Sequence, residues 1–528
     1  MDAESLHKAM LNLESYPGET GPVTFKETHI SRLYFTAGHV YKVKKRVDFG
    51  FLNFTSLDRR RFYCQEELRL NRRFCPGTYL EIVEARRQGT GCRVGSGLAG
   101  DLVDYAVRMK RLPQERMLDV LIETDAPNLR DEMKRLGRHI GNLHLESAPP
   151  QHTSGRTHAD VVALNWEENL RQTAPFVGST LPPCAQTLVA AHVASFISQC
   201  ADLLRQREQS GFVIDGHGDL HAEHICLSDP ICIYDCIEFN ERFRVGDRIA
   251  DLAFLLMDLE HRNRRDLAES LLSSYLETTG PDPGWPTLLP FYKIYRAWVR
   301  GKVLSFLTHD SSANQTERKS AILEARNYFS LAISYLCPPA LILTCGLMGV
   351  GKTAIAGKLA QVLGAPLLRS DELRKRLSGM DPMDRDRSDF GQGIYSANMS
   401  EKTYRTLLAK AEELLVRGQT VIVDASFALR LNRDQFRQTA VKTGVAFCII
   451  WMTCDEKTIQ NRLRQRQTAE EDASDGRPEL LDRQRNVFQN PEREPNVLQI
   501  DTSTDIVYNV ELILCNLAEK MPGNLPDN

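Results

Sequence analysis

Residues 341–353 read LILTC-GLMGVGKT, an apolar run of β character that ends in G-x-x-x-x-G-K-T. Gly346, Gly349 and Gly351 let the backbone turn tightly enough to aim N–H groups at phosphate oxygens, with Val350 and Ala354 completing the candidate cofactor-binding loop. Lys352 adds a point charge toward the β- and γ-phosphates and is a candidate catalytic residue. The Thr353 hydroxyl is of the type that ligates Mg²⁺. The next residues, AIAGKLAQVLG, continue as an amphipathic helix. A strand, this loop and a helix together predict a binding site for ATP or GTP.

Working outward, residues 340–520 alternate strand and helix. LILTC leads to a helix, APLLRS to DELRKRL, a helix at 401–417 to TVIVDAS, another at 431–443 to AFCIIWMT, and VLQIDTS to a closing helix. Apolar strands separated by helices predict a parallel sheet covered on both faces, an α/β P-loop domain. Cys337–Pro338–Pro339 immediately precedes it, and two prolines resist helix continuation. The expected division is therefore 1–336 and 340–528, within the two to four domains that 528 residues predict.

The first 336 residues have another pattern. Segments 22–47 and 80–110 are strand-rich, and from about 129 onward the chain is mostly helical. A small β-rich lobe (about 20–112) before a helical lobe (about 113–336) is the α+β layout of a bilobal, protein-kinase-like fold. Within it, HGDLHAEH at 217–224 is followed by ICLSDPICIYDCIEF, two short apolar strands around the turn SDP. Phosphoryl transfer to a hydroxyl needs one carboxylate at the attacking oxygen and another on the metal that neutralises the phosphates. Asp219 is the candidate base and Asp235 the candidate metal ligand; the competing reading is a pair of turn carboxylates.

This block resembles the catalytic loop of aminoglycoside and choline phosphotransferases, H-G-D-x-x-x-x-N followed by an I-D aspartate. VGDRIADLAFLLMDLE at 245–260 is similar to that family as well, and the resemblance implies that Asp247 and Asp251 shape the loop or the cleft. It also implies a lysine on the third strand paired with the phosphates and with a helix glutamate. VYKVKK offers Lys42 and Lys44 on one face of a strand, Lys42 preferred because it follows an apolar pair. On FYCQEELRLNRRF, Glu67 shares a face with Leu70 and Phe74 and is a better inward partner than Glu66. YAVRMKRLP at 105–113 resembles the strand and hinge around adenine. One position departs from the family: His224 stands where its metal-binding Asn is expected, and imidazole suits hard Mg²⁺ poorly. His224 then binds through water, the site takes Mn²⁺, or this half is weakened.

In the P-loop half, RSDELRKRL places Asp371 at a strand end with Arg374 one turn on, and VIVDASF places Asp424 after a buried strand. The pattern resembles P-loop small-molecule and polynucleotide kinases and the zeta-toxin type of sugar-nucleotide kinase. The resemblance makes Asp371 the contact to the acceptor hydroxyl, Arg374 the holder of an anionic substrate group, and Asp424 a residue that assists Mg²⁺ through water or orients the site. Helix capping is the other reading of Asp371. Arg462 and Arg466 lie side by side on QNRLRQRQ, where related kinases bring lid arginines, Arg466 among the candidate catalytic residues here, onto the transferring phosphoryl group; the polar stretch 469–479 suits a lid. Gly95, Gly97 and Gly100 spell G-x-G-x-x-G after the lysine strand, the wrong side for a kinase glycine loop. Asp389–Phe390–Gly391 is a chance D-F-G.

A net charge of −3 gives no global field for nucleic acid or an anionic membrane. The arginine runs 59–61 and 72–73 read as exposed helix surface, so nucleic acid is not an expected partner, a polynucleotide end at the P-loop site aside. Thirteen scattered cysteines without a CxxC pair read as free buried thiols in a reducing compartment. The N-terminus reads as an ordinary amphipathic helix and no 18-residue apolar run exists, so a cytoplasmic location is expected. Nearly the whole chain resembles bacterial bifunctional aminoglycoside phosphotransferase/ATP-binding proteins. That resemblance implies ATP (or GTP) and Mg²⁺ (or Mn²⁺) at two sites, and small-molecule hydroxyl acceptors. The alternative is a first half that only senses a ligand and regulates the P-loop half.

Overall fold

The computed structural model describes residues 1–50, 52–89, 91–147, 155–309, 314–381, 392–468 and 478–520, without the side chains of 466–468 and 478–479. The chain forms two compact units. The first holds Met1–Leu164 and Cys200–Lys293; the second holds Asn165–Gln199 and Ile294–Asn528.

In the first unit, strands β1 (Thr24–Glu27), β2 (Ser31–Phe35), β3 (His39–Lys44), β4 (Tyr79–Gln88), β5 (Gly91–Gly95) and β6 (Leu102–Lys110) make an antiparallel sheet of order β1-β2-β3-β6-β4-β5. β3 is central, with Lys42 opposite Leu33 of β2 and Val107 of β6. Helix Leu57–Phe74 starts at Ser56, whose side chain accepts the Arg59 N–H, and it buries Cys64, Glu67, Leu70, Asn71 and Phe74. Those positions recur every three or four residues, a single face of a helix, and this helix packs on β4 and β6. Its arginine run is not all surface, contrary to the sequence reading. Arg60 is buried, its Nε 2.8 Å from Asp104 Oδ1.

The helical part of this unit rests on Leu129–Glu146 packed against Arg265–Thr279. Gly137 permits that approach, since a Cβ there would lie 2.5 Å from the Leu271 carbonyl oxygen. Two short antiparallel pairs frame the loop 216–224: β7 (Val213–Asp215) with β10 (Val245–Asp247), and β8 (Ile225–Cys226) with β9 (Cys232–Ile233).

In the second unit, β11 (Ala340–Cys345), β12 (Leu367–Arg369), β13 (Val421–Asp424), β14 (Ala446–Thr453) and β15 (Val497–Asp501) form a wholly parallel sheet of order β12-β13-β11-β14-β15. Two-sided burial explains its unbroken apolar runs: Leu341, Leu343, Val421, Val423 and Ile449 sit in one core cluster, and the alternating Ile342, Ile422 and Ile450 are equally buried. The order reverses beside β11, and the loop after that strand opens at the switch point where such sheets bind ligands. This unit does not begin at Pro338–Pro339. Helices Pro183–Gln199 and Gln315–Ser334 pack on the closing helix Ile506–Ala518, and Arg326 Nε donates to Glu511 Oε1 at 2.9 Å.

The cysteines also depart from expectation. Cys75 is bonded to Cys232 and Cys184 to Cys515, while nine are free. The partners lie 157 and 331 residues apart, so spacing along the chain carried no sign of them. Among the described residues no single helix is long and apolar enough to cross a membrane.

Candidate active sites

The first site is built on β3, the helix behind it and the loop 216–235. Lys42 and Lys44 project from one face of β3, and Glu67 receives both: Lys42 Nζ is 2.7 Å from Oε1 and Lys44 Nζ 2.7 Å from Oε2. Glu67 is fully buried, whereas Glu66 pairs with Arg69 at the surface. Each lysine has a second carboxylate, Asp235 for Lys42 and Glu238 for Lys44. Burial presses Lys42 toward neutrality, but Asp235 and Glu67 outweigh it and hold the ammonium well above its usual range. Burial likewise pushes Glu67 up, yet the two lysines carry its carboxyl below the ordinary value.

Asp235 has φ 65°, a left-handed conformation that Asp tolerates better than most residues. Its backbone N–H donates to Tyr79 Oη at 3.1 Å, which fixes the turn and points the carboxylate at Lys42. His224 lies between the two candidate carboxylates. Its Nδ1 is 3.0 Å from the Asp219 carbonyl oxygen and 3.5 Å from Asp219 Oδ2, and its Nε2 is 3.7 Å from Asp235 Oδ2. Burial and the neighbouring His221 lower the His224 pKa. Asp251 organises the loop from beneath, accepting the backbone N–H groups of His217 and Gly218 at 2.8 Å each. Asp247 has a different task. It caps helix Arg248–His261 and binds buried Arg207, which also meets Asp282.

The second site lies at the end of β11. A Cβ on Gly346, at φ 148°, would sit 2.6 Å from the Met452 carbonyl oxygen, so only glycine lets the loop pass β14. Lys352 Nζ folds back to the Leu347 carbonyl oxygen at 2.9 Å. Thr353 Oγ1 donates to Asp424 Oδ2 at 2.8 Å, and Thr344 Oγ1 to Asp424 Oδ1 at 3.0 Å, so hydroxyl and carboxylate already meet where a phosphate-bound cation is held in P-loop proteins. Asp371 does not cap its helix. Arg369 stands at that position, and Asp371 Oδ1 instead accepts from Arg374 Nη1 at 2.7 Å. Arg374 is buried over the Tyr395 ring at 4.7 Å.

Arg462 does not point outward from a lid. It grips the loop from behind, with Nη1 3.1 Å from the Val350 carbonyl oxygen and Nη2 2.7 Å from that of Thr502. Together with Gly351, Ala354, Thr502, Thr504 and Asn509 it lines a cavity of about 340 Å³ beside the loop. The Arg466 side chain, the stretch 469–477 and the D-F-G at 389–391 lie outside the described residues.

The residues fit the groups that the motifs imply. The second site offers a glycine cradle, an ammonium and a hydroxyl–carboxylate pair for a nucleoside triphosphate with Mg²⁺. The first offers the hard oxygens of Asp219 and Asp235 beside Lys42, with one nitrogen donor, His224, in the set. Sequence reasoning missed Glu238, His221 and Thr502. Glu238 stands three residues after Asp235 in YDCIEF, but nothing in its spacing marks it as the partner of Lys44.

Two family models match the chain in succession. Residues 61–291 match the model of the phosphotransferase enzyme family (APH), and residues 341–491 that of an AAA domain. Uncharacterised proteins of Mycobacterium tuberculosis and Mycobacterium bovis are each 26% identical over 455 residues, 86% of this chain and 88% of theirs. A shikimate kinase of Rhizobium meliloti is 27% identical over 162 residues, 31% of this chain and 70% of that one. Similar solved structures include a GDP and kanamycin complex of an APH(2″) enzyme, at 12% identity and TM-score 0.40, covering 61% of this chain and 98% of that one. Another is a gluconokinase from Sinorhizobium meliloti, at 21% identity and TM-score 0.25, covering 34% and 93%. With lysine, glutamate and aspartates gathered in one unit and a P-loop in the other, the chain carries a phosphotransferase-family (APH) domain at 61–291 followed by a P-loop kinase domain of the AAA type at 341–491.

Proposed function

We propose that the protein is an ATP-dependent kinase with two sites, each transferring a γ-phosphate to a hydroxyl group of a small molecule. The observation that carries the first site is the closed array Lys44–Glu67–Lys42–Asp235–His224–Asp219. Bound Mg²⁺ supplies charge neutralisation on the phosphates and keeps them in line for displacement. Lys42, fixed by Glu67, positions the phosphate tail, and Asp235 and His224 supply the metal-facing donors. Asp219 accepts the proton of the attacking hydroxyl. In the second site the loop amides and Lys352 bind phosphate, while Thr353 and Asp424 supply the metal-facing oxygens. Asp371 takes the acceptor's proton and Arg374 holds an anionic part of it. The cavity beside Arg462 suits a base and ribose. An intact Lys42–Glu67 pair favours catalysis over a purely sensing role for the first unit, because a sensor has no need to keep a buried ammonium charged.

Phosphate transfer from labelled ATP into a metabolite extract tests this reading. Asp219→Asn should abolish one set of labelled products and Lys352→Ala the other. The reading fails if the double variant releases ADP at the unmodified rate.

A further inference from the structure

Three side chains of the loop 217–224 converge on one point. Asp219 Oδ2 lies 3.6 Å from His221 Nε2 and 3.5 Å from His224 Nδ1. The two imidazole rings are 4.0 Å apart at 40°, and the three donor atoms lie within 4.8 Å of one another. Zinc binds nitrogen and carboxylate oxygen at about 2.0–2.2 Å in a tetrahedron, whose edges are then about 3.3–3.6 Å. Two edges of the triad already have that length.

The chemistry of the donors selects the ion. Two imidazoles and one carboxylate suit zinc and its transition-metal neighbours, whereas Mg²⁺ prefers a full shell of oxygen. His221 is buried against the Phe254 ring, and Asp219 is one-third exposed, which leaves a fourth position open to water. His224 Nδ1 now faces the Asp219 carbonyl oxygen at 3.0 Å. Ligation through Nδ1 puts the ring proton on Nε2, which faces Asp235 Oδ2 at 3.7 Å. A carboxylate behind a metal-bound histidine is the usual outer support of such sites.

We propose that Asp219, His221 and His224 form a zinc site, which adds His221 to two donors of the Mg²⁺–nucleotide site, and that zinc there silences phosphotransfer by the first unit. A carboxylate bound to zinc cannot accept a proton from a hydroxyl. This inhibitory half rests on the role proposed above for Asp219; the binding half does not.

Calorimetric titration of the metal-stripped full chain with Zn²⁺, in excess Mg²⁺ and without nucleotide, tests the binding half. One equivalent should bind more tightly than about 1 μM. His221→Gln and His224→Asn should each weaken it by about 100-fold or more. Co²⁺ in its place should give the intense visible bands of a four-coordinate ion without a thiolate charge-transfer band, a readout that needs no variant to fold. Absence of a tight equivalent, a thiolate band, or unweakened zinc binding in both variants would overturn the site. Zinc should lower ADP release from the Lys352→Ala protein at least tenfold, and much less in Lys352→Ala carrying His221→Gln. Zinc bound as expected with undiminished release overturns the inhibitory half. Zinc bound to a protein without any release instead overturns the kinase reading and leaves the site standing.

Discussion

Replacing Gly346 by alanine should separate the phosphate loop's geometry from the stability of its helix. The added Cβ would meet the Met452 carbonyl oxygen at 2.6 Å, and the backbone there holds φ 148°. Conformational strain of this kind costs about 1–3 kcal/mol. The contact is with backbone of the inner strand β14, so the loop must move rather than a side chain turn away. A displacement near 1 Å at a reacting centre costs about 100-fold in rate. Nucleotide affinity at the second site should therefore fall about 10–100-fold, and turnover further. Gly357→Ala is the matched control: it lies on the helix after the loop, its Cβ meets nothing within 4 Å, and alanine favours a helix by about 1 kcal/mol. Calorimetry with a non-hydrolysable ATP analogue on Lys42→Ala backgrounds, which lack the ammonium that positions the phosphate tail in the first site, reads the second site in both proteins. If Gly346→Ala binds like its parent, or Gly357→Ala loses as much, the steric reasoning is wrong.

Three further outcomes follow from named contacts. Asp251→Asn keeps one acceptor oxygen but turns an amide NH₂ toward the other of the two buried N–H groups, those of His217 and Gly218, at about 1–3 kcal/mol. First-site turnover should fall about tenfold or more while Lys352-dependent turnover is retained, as the single-site backgrounds would show. Arg462→Ala removes the donor to Val350 and Thr502 and opens the adjoining cavity; second-site nucleotide binding should weaken about tenfold with the first site unaffected. Glu494 is pushed up by burial, but Arg433 and Arg437 hold its carboxyl below the ordinary 4.5. The folded state therefore binds fewer protons than the unfolded chain just below that value, so its stabilisation is complete above pH 4.5 and is lost as pH falls through the lowered pKa. Urea midpoints from pH 6 downward should fall less steeply in Glu494→Gln, which starts from a lower plateau by about 3 kcal/mol because Arg433 is left buried without its charge partner; parallel slopes would contradict this.

Sequence periodicity was informative where one interaction dominates. The parallel strands are apolar because both sheet faces are covered, and the P-loop glycines answer local backbone demands, so both could be read from a few adjacent residues. The Lys42–Glu67 pair was legible through strand alternation and helix spacing. What escaped was set by contacts distant in the chain. Lys44 shares Glu67 and claims Glu238, 194 residues away, a partnership no local pattern encodes. Arg60 lies in a run of arginines that composition assigns to the surface, and only the cross-sheet position of Asp104 shows why one of them is buried. Arg462 has the spacing of a lid arginine but is taken by two backbone carbonyls.

The make-up of the second unit bears on how the polypeptide comes off the ribosome. Residues 165–199 emerge well over a hundred residues before the parallel sheet against whose last helix they finally rest. Until then their apolar side must be shielded by solubilising factors or by transient partners, and final assembly waits for the end of translation. A gene shortened to start at Pro338 would make the strands and the nucleotide loop, yet leave Ile506–Ala518 stripped of both covering helices. Its product should collect in inclusion bodies, whereas co-expression of residues 1–336 from a second plasmid should return part of it to the lysate supernatant.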